Sequence, residues 1–133
     1  LKIGKSLSNT IKNILIAEDE EHIAKLVAFK LTKEGFAVMI AKNGKEAIDQ
    51  LLSKPWSLLI LDVMMPICDG WQVLRQVRAT PQLAHVPVLM LTAKSFQQDL
   101  ANAAELGATQ FLKKPFEPAN LAAVVRKLIE TGA

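Results

Sequence analysis

The chain has 133 residues, 50% of them hydrophobic, a size and apolar content that fit one compact domain with no biased or disordered segment. Its 16 Lys and Arg against 13 Asp and Glu, interspersed for a net charge of +3, make a solvated surface rather than a nucleic-acid footprint. A single cysteine, Cys68, excludes an intrachain disulfide framework and a cysteine zinc cluster and points to a reducing cytoplasm, and no apolar run approaches the about 20 residues of a membrane span.

Residues 1–11 carry lysines without a continuous apolar segment behind them, so they are no signal peptide and read as an N-terminal extension to a domain over residues 12–130. Ile14-Leu15-Ile16-Ala17 is a short β-branched run that stops at acids, as a buried parallel strand does. Ile23, Leu26, Val27 and Leu31 then recur at helical spacing, with Gly35 as the stop. Val38 to Ala41 is a second strand. Asn43 is a fitting N-cap for a helix carrying Ala47, Ile48, Leu51 and Leu52, which Pro55 closes off.

Leu58 to Leu61 repeats the strand pattern, followed by a loop with Pro66 and Asp69-Gly70 and a helix carrying Trp71, Val73, Leu74 and Val77. Val86 to Leu91 predicts a fourth strand, Gln97 to Leu106 a helix ended by Gly107, and Phe111-Leu112 a short fifth strand. A last helix starts at Pro118, a residue suited to the first turn, and ends near Ile129. Strict alternation with all five strands apolar throughout predicts a parallel sheet between two helix layers, with right-handed crossovers.

In such sheets the working crevice lies beyond the carboxyl ends of the strands. Those ends carry Glu18-Asp19-Glu20, Lys42-Asn43, Asp62, Thr92-Ala93 and Lys114-Pro115, so carboxylates, a hydroxyl and an ammonium are expected to meet. Carboxylates that share a small site repel unless protonated or bridged by a cation, and an oxygen-rich site without nitrogen or sulfur favours Mg²⁺ over zinc. Asp62, placed directly after four apolar strand residues, needs a partner in so desolvated a position. Glu20 and Glu21 are read as acids that favour the helix N-terminus. Trp56 and Trp71 are read as packing residues, His22 and His85 as surface residues, and Cys68 as a half-buried apolar one.

Five separated motifs, Glu18-Asp19, Asp62-Val63-Met64-Met65-Pro66, Asp69-Gly70, Leu91-Thr92-Ala93 and Phe111-Leu112-Lys113-Lys114-Pro115-Phe116, together resemble the response-regulator receiver domain from about Lys12 to Ile129. The resemblance implies a flavodoxin-like α/β fold: a three-layer, doubly wound, five-stranded parallel sheet in strand order 2-1-3-4-5. It implies Asp62 as phosphoacceptor, with Mg²⁺, or alternatively Mn²⁺, held by Asp19, Asp62 and the Met64 carbonyl directly and by Glu18 through water. Lys114, favoured over Lys113 by the Pro that follows it, and Thr92 would meet the phosphoryl oxygens. Ala93 leaves access for the donor, and Phe111 is the aromatic residue that moves with Thr92, without a hydroxyl of its own. Pro66 and Gly70 shape the acceptor loop, the Lys114-Pro115 bond is expected to be cis, and Met64 and Lys94 flank the path of attacking water and tune phosphoryl lifetime.

The partners implied are a histidine kinase or histidine phosphotransfer protein as donor. An output protein or domain would read the surface of the 97–106 helix, fifth strand and last helix, with Gln97, Gln98, Lys113, Arg126 and Lys127 among its residues. A homodimer is a further option for the chain. No output domain, direct nucleic-acid contact or membrane contact is expected from it, and it acts as a switch rather than an enzyme. A phosphohydrolase forming an aspartyl phosphate would carry a second carboxylate two residues after the first, where this chain has Met64. A cofactor-binding flavodoxin would want a glycine- and hydroxyl-rich phosphate loop where Glu18-Asp19-Glu20 stands. A degenerate receiver would lack some of the residues present here.

Overall fold

The computed structural model describes residues 11–65, 67–92, 105 and 107–131. The expected helix over 97–106 falls almost wholly outside them, as do Pro66, Ala93, Lys94, Gln97 and Gln98. The strands are β1 (Asn13–Ala17), β2 (Ala37–Ala41), β3 (Leu58–Asp62), β4 (Val88–Thr92) and β5 (Gln110–Lys113). The helices are α1 (Glu21–Lys33), α2 (Gly44–Leu51), α3 (Gly70–Ala79) and α4 (Pro118–Glu130). All strand pairs are parallel, in the order β2-β1-β3-β4-β5, with Ile14 opposite Val38 and Leu58, and Asp62 opposite Leu91.

Because side chains alternate across a strand, each central strand feeds two cores. Leu15, Leu59, Leu61, Val88 and Met90 pack on one face with Leu51 of α2 and Val73, Leu74 and Val77 of α3. Ile14, Ile16, Leu58, Ile60, Leu89 and Leu91 pack on the other with Val27 and Leu31 of α1 and Leu121, Val125 and Leu128 of α4. Each such side chain contributes about 1.5–3 kcal/mol on leaving water, and both faces of the sheet are covered.

Burial throughout holds for β3 and β4, which are apolar up to their last residues Asp62 and Thr92, and fails at the edges. Met39 of β2 is exposed, and β5 begins and ends on the exposed Gln110 and Lys113, because an edge strand has a neighbour on one side only. The fourth strand also begins two residues later than its apolar run. The Val86 carbonyl accepts from the Arg78 guanidinium at 2.7 Å instead of joining the sheet, and Val86 N–H closes a turn onto Leu83.

Local signals account for the element ends. Gly35, at φ 102°, follows α1; its N–H reaches the Thr32 carbonyl and Phe36 N–H the Leu31 carbonyl, a Schellman closure that only a left-handed residue completes without strain. Asn43 caps α2 by accepting from Glu46 N–H. Asp69 and Gln72 form a reciprocal capping box on α3.

Candidate functional site

The carboxyl ends of β1, β3, β4 and β5 converge on one crevice. Asp62 is the last residue of β3 and only 4% exposed; Glu18, just past β1, has its side chain wholly buried, while Asp19 beside it is exposed. One carboxylate oxygen from each of the three lies within 4.8 Å of the others. Thr92 ends β4 and is buried, and its carbonyl accepts from Lys114 N–H at 2.6 Å. Lys114 follows β5, and its bond to Pro115 is cis. Phe111 sits half-buried opposite Met90, against the core that α2 and α3 cover.

The Lys114 ammonium stands among three acids, 2.9 Å from Glu18 Oε1, 3.2 Å from Asp62 Oδ1 and 3.5 Å from Glu20 Oε1. It does not balance them. Desolvation first, then the Glu18 charge, push the Asp62 carboxyl up to about 7 in spite of Lys114. Burial alone would lower the Lys114 pKa, but contact with Glu18 and Asp62 outweighs it and the ammonium is held more tightly protonated. The Lys114–Glu18 contact is an ion pair by distance; Glu18 Oε1, fully buried, accepts no hydrogen bond. An excess of buried negative charge, an oxygen donor set and an unsatisfied carboxylate oxygen together fit a small hard cation.

Glu20 stands at the start of α1, where the sequence reading has it, and its carboxylate also serves a second partner. Its backbone is the N-cap of α1, yet its side chain makes no capping hydrogen bond and pairs with Lys114 instead. Glu is not among the favoured N-cap residues, and that was the signal available in the sequence. Glu21 behaves as expected on the first turn: it pairs with Lys25 at 3.0 Å, which holds its carboxyl below the usual range.

The loop after Asp62 is built tightly. Gly70 N–H donates to the Val63 carbonyl, and a Cβ on Gly70 would lie 2.2 Å from the Asp62 carbonyl oxygen. Glycine is required there so that α3 can begin against the acceptor strand. Ile67 adopts φ 71°, a left-handed conformation that costs a β-branched residue about 1–3 kcal/mol. Ile67 and Met64 both display exposed side chains beside the crevice. On the far side, Arg78 of α3 donates to the Gly107 carbonyl and lies 3.4 Å from Thr109 Oγ1, which itself accepts from Val88 N–H. Sequence patterning had no access to this staple, because it links residues about thirty positions apart.

A doubly wound α/β sheet with a buried acid, an acidic pair and a lysine at its carboxyl edge defines a class of phosphate- and cation-handling switch domains. The sequence profile of the response regulator receiver domain matches residues 14–126, and the chain belongs to that family, the receivers of two-component systems. It is 38% identical to the response regulator ArlR of Staphylococcus epidermidis over 88% of this chain and 52% of the relative. It is likewise 38% identical to the alkaline phosphatase synthesis transcriptional regulatory protein PhoP of Bacillus subtilis, over 89% of this chain and 48% of the relative. The chain thus spans about half the length of these curated relatives.

Among solved structures, the signal receiver domain of a signal transduction histidine kinase from Syntrophus aciditrophicus superposes with a TM-score of 0.84 at 33% identity, covering 90% of this chain and 91% of that one. The chemotaxis protein CheY4 of Vibrio cholerae gives 0.85 at 28% identity, covering 90% and 99%. The cluster of Glu18, Asp19 and Asp62 fits the Mg²⁺ and phosphoaspartate site of such receivers. Among the described residues no helix is long and apolar enough to cross a membrane.

Proposed function

We propose that Asp62 accepts a phosphoryl group from a phosphohistidine of a sensor kinase or histidine phosphotransfer protein, and that the unit doing so spans residues 12–130. The observation that carries this reading is a carboxylate 4% exposed at the end of β3, paired with Lys114 and flanked by two further acids. An Asp62 oxygen forms the new P–O bond as the P–N bond to the donor imidazole breaks, and that electron pair returns to the ring nitrogen. No general base is needed where a cation beside it would hold Asp62 as the carboxylate.

Asp19, Asp62 and the Met64 carbonyl, with Glu18 through water, would hold Mg²⁺ or Mn²⁺. The bound ion supplies charge neutralisation between the Asp62 carboxylate and an incoming phosphoryl group. Lys114 places its compact ammonium on a phosphoryl oxygen at the opposite side. The Thr92 hydroxyl donates to another and draws the β4 end inward, with Phe111 following, while Ala93 leaves the donor room to approach. Met64 and Lys94 flank the water that later hydrolyses the aspartyl phosphate.

The output is a changed surface over β5, α4 and the 97–106 segment, read by a separate protein or domain in the cytoplasm. Several curated relatives are named as transcriptional regulators, which supports a regulatory output for a longer protein of this kind. The chain works as a switch that assists its own phosphorylation and dephosphorylation. Acetyl phosphate with Mg²⁺, followed by intact mass, tests it: the wild type gains one phosphoryl group and Asp62→Asn gains none. Equal labelling of both overturns the assignment.

A further inference from the structure

We propose that Glu20 is a positioning residue that holds the Lys114 ammonium at the rim of the crevice and must release it before a phosphoryl group can take its place. The proposal rests on the reading of Asp62 as phosphoacceptor. Three acids surround Lys114, and their exposures differ sharply. The Glu18 and Asp62 side chains are 0% and 5% exposed, whereas the Glu20 side chain is 51% exposed. The two buried partners belong to the floor of the site, and only Glu20 has solvent to swing into.

Glu20 is also fixed where it can compete. Its backbone N–H donates to Glu18 Oε2 at 3.2 Å, its φ and ψ are those of the α1 N-cap, and its carboxylate is spent on Lys114 at 3.5 Å, not on capping. Three carboxylates ring the ammonium, and Glu20, at 3.5 Å, is the outermost of them. A phosphoryl oxygen arriving at Asp62 therefore exchanges with the Glu20 carboxylate, one anion for another. Glu20 also presents a negative charge at the mouth that opposes small anionic donors. Both effects weaken donor binding and leave the transfer step, once Lys114 has moved, largely untouched.

The test uses the full chain, saturating Mg²⁺ and acetyl phosphate, in which Asp62 forms its P–O bond as acetate leaves with the electron pair of the broken O–P bond. Glu20→Gln keeps size and removes charge. For a half-exposed ion pair the expected result is a KM for acetyl phosphate about 2- to 5-fold lower, with the maximal rate unchanged. The difference shrinks at high salt, as screening requires, and Glu20→Asp, which keeps the charge on a shorter arm, falls between variant and wild type. A residue that served only the helix end would lower thermal stability and leave KM alone. An unchanged KM in Glu20→Gln, with Asp62 still labelled, overturns the proposal. So does a Mg²⁺ affinity reduced in step with KM, which would place Glu20 on the cation instead. A wild type that takes no label at Asp62 removes the phosphoacceptor reading and this inference with it.

Discussion

Replacing Asp62 with Asn should stabilise the cation-free protein. The folded state raises this carboxyl from 3.8 to about 7, chiefly through desolvation and then through the Glu18 charge. Three units correspond to about 4 kcal/mol as a ceiling, and relaxation of the crevice around Lys114 brings the expected gain to about 1–3 kcal/mol. Because the folded pKa lies above the unfolded one, the neutral acid favours the fold. Its contribution is complete below the unfolded value and is lost as pH climbs through about 7. Asn does not ionise, so Asp62→Asn and wild type should unfold alike only below pH ~4, with the gap opening from there and complete by pH ~8. Urea unfolding in a chelating buffer across that range measures the gap directly. Mg²⁺ at about a hundred times its Kd should then restore about 2.7 kcal/mol to the wild type and less to the variant. A variant no more stable than wild type at alkaline pH, or a gap that does not grow with pH, would refute the electrostatic account of this crevice.

Two further perturbations test the scaffold. Gly70→Ala forces a methyl against the Asp62 carbonyl, 2.2 Å away before relaxation, and should cost about 3 kcal/mol or more by urea unfolding, with slower acetyl phosphate labelling of Asp62. Arg78→Ala removes the bonds to the Ala84, Val86 and Gly107 carbonyls and should cost about 2–3 kcal/mol. Arg78→Lys should recover little of that, since one ammonium cannot span carbonyls that a planar fork reaches together; full recovery would show that charge alone matters.

Periodicity placed β1, β3 and the three helices α1 to α3 because their apolar residues obey the spacing that burial demands, and Asn43 and Gly35 mark ends through their own backbone chemistry. It failed where a side chain intervened from far away. Val86 belongs to the fourth apolar run but not to β4, because the Arg78 guanidinium takes its carbonyl. The crevice was legible in residue type and strand-end position, which is why Glu18, Asp62 and Lys114 were picked out together. Which acid pairs with the ammonium is not, since that depends on side-chain reach: the dipole argument puts Glu20 at the helix end, where it stands, and says nothing of its contact with Lys114. The left-handed Ile67 was also out of reach of pattern, as nothing in a β-branched residue advertises a positive φ.

The close seating of Gly70 on Asp62 divides the crevice mechanically. On the α3 side, backbone meets backbone at van der Waals limits, with the Gly70 N–H tied to Val63, so the acceptor stands on a rigid anvil. On the β4 and β5 side, β3 is tied to β4 by the Val63 N–H to Leu91 carbonyl bond, and the site itself is reached by the long side chain of Lys114, a residue whose backbone N–H donates to the Thr92 carbonyl. Asp62 is thus walled by the backbone of α3 on one side, while across the crevice a flexible side chain, not main chain, faces its carboxylate.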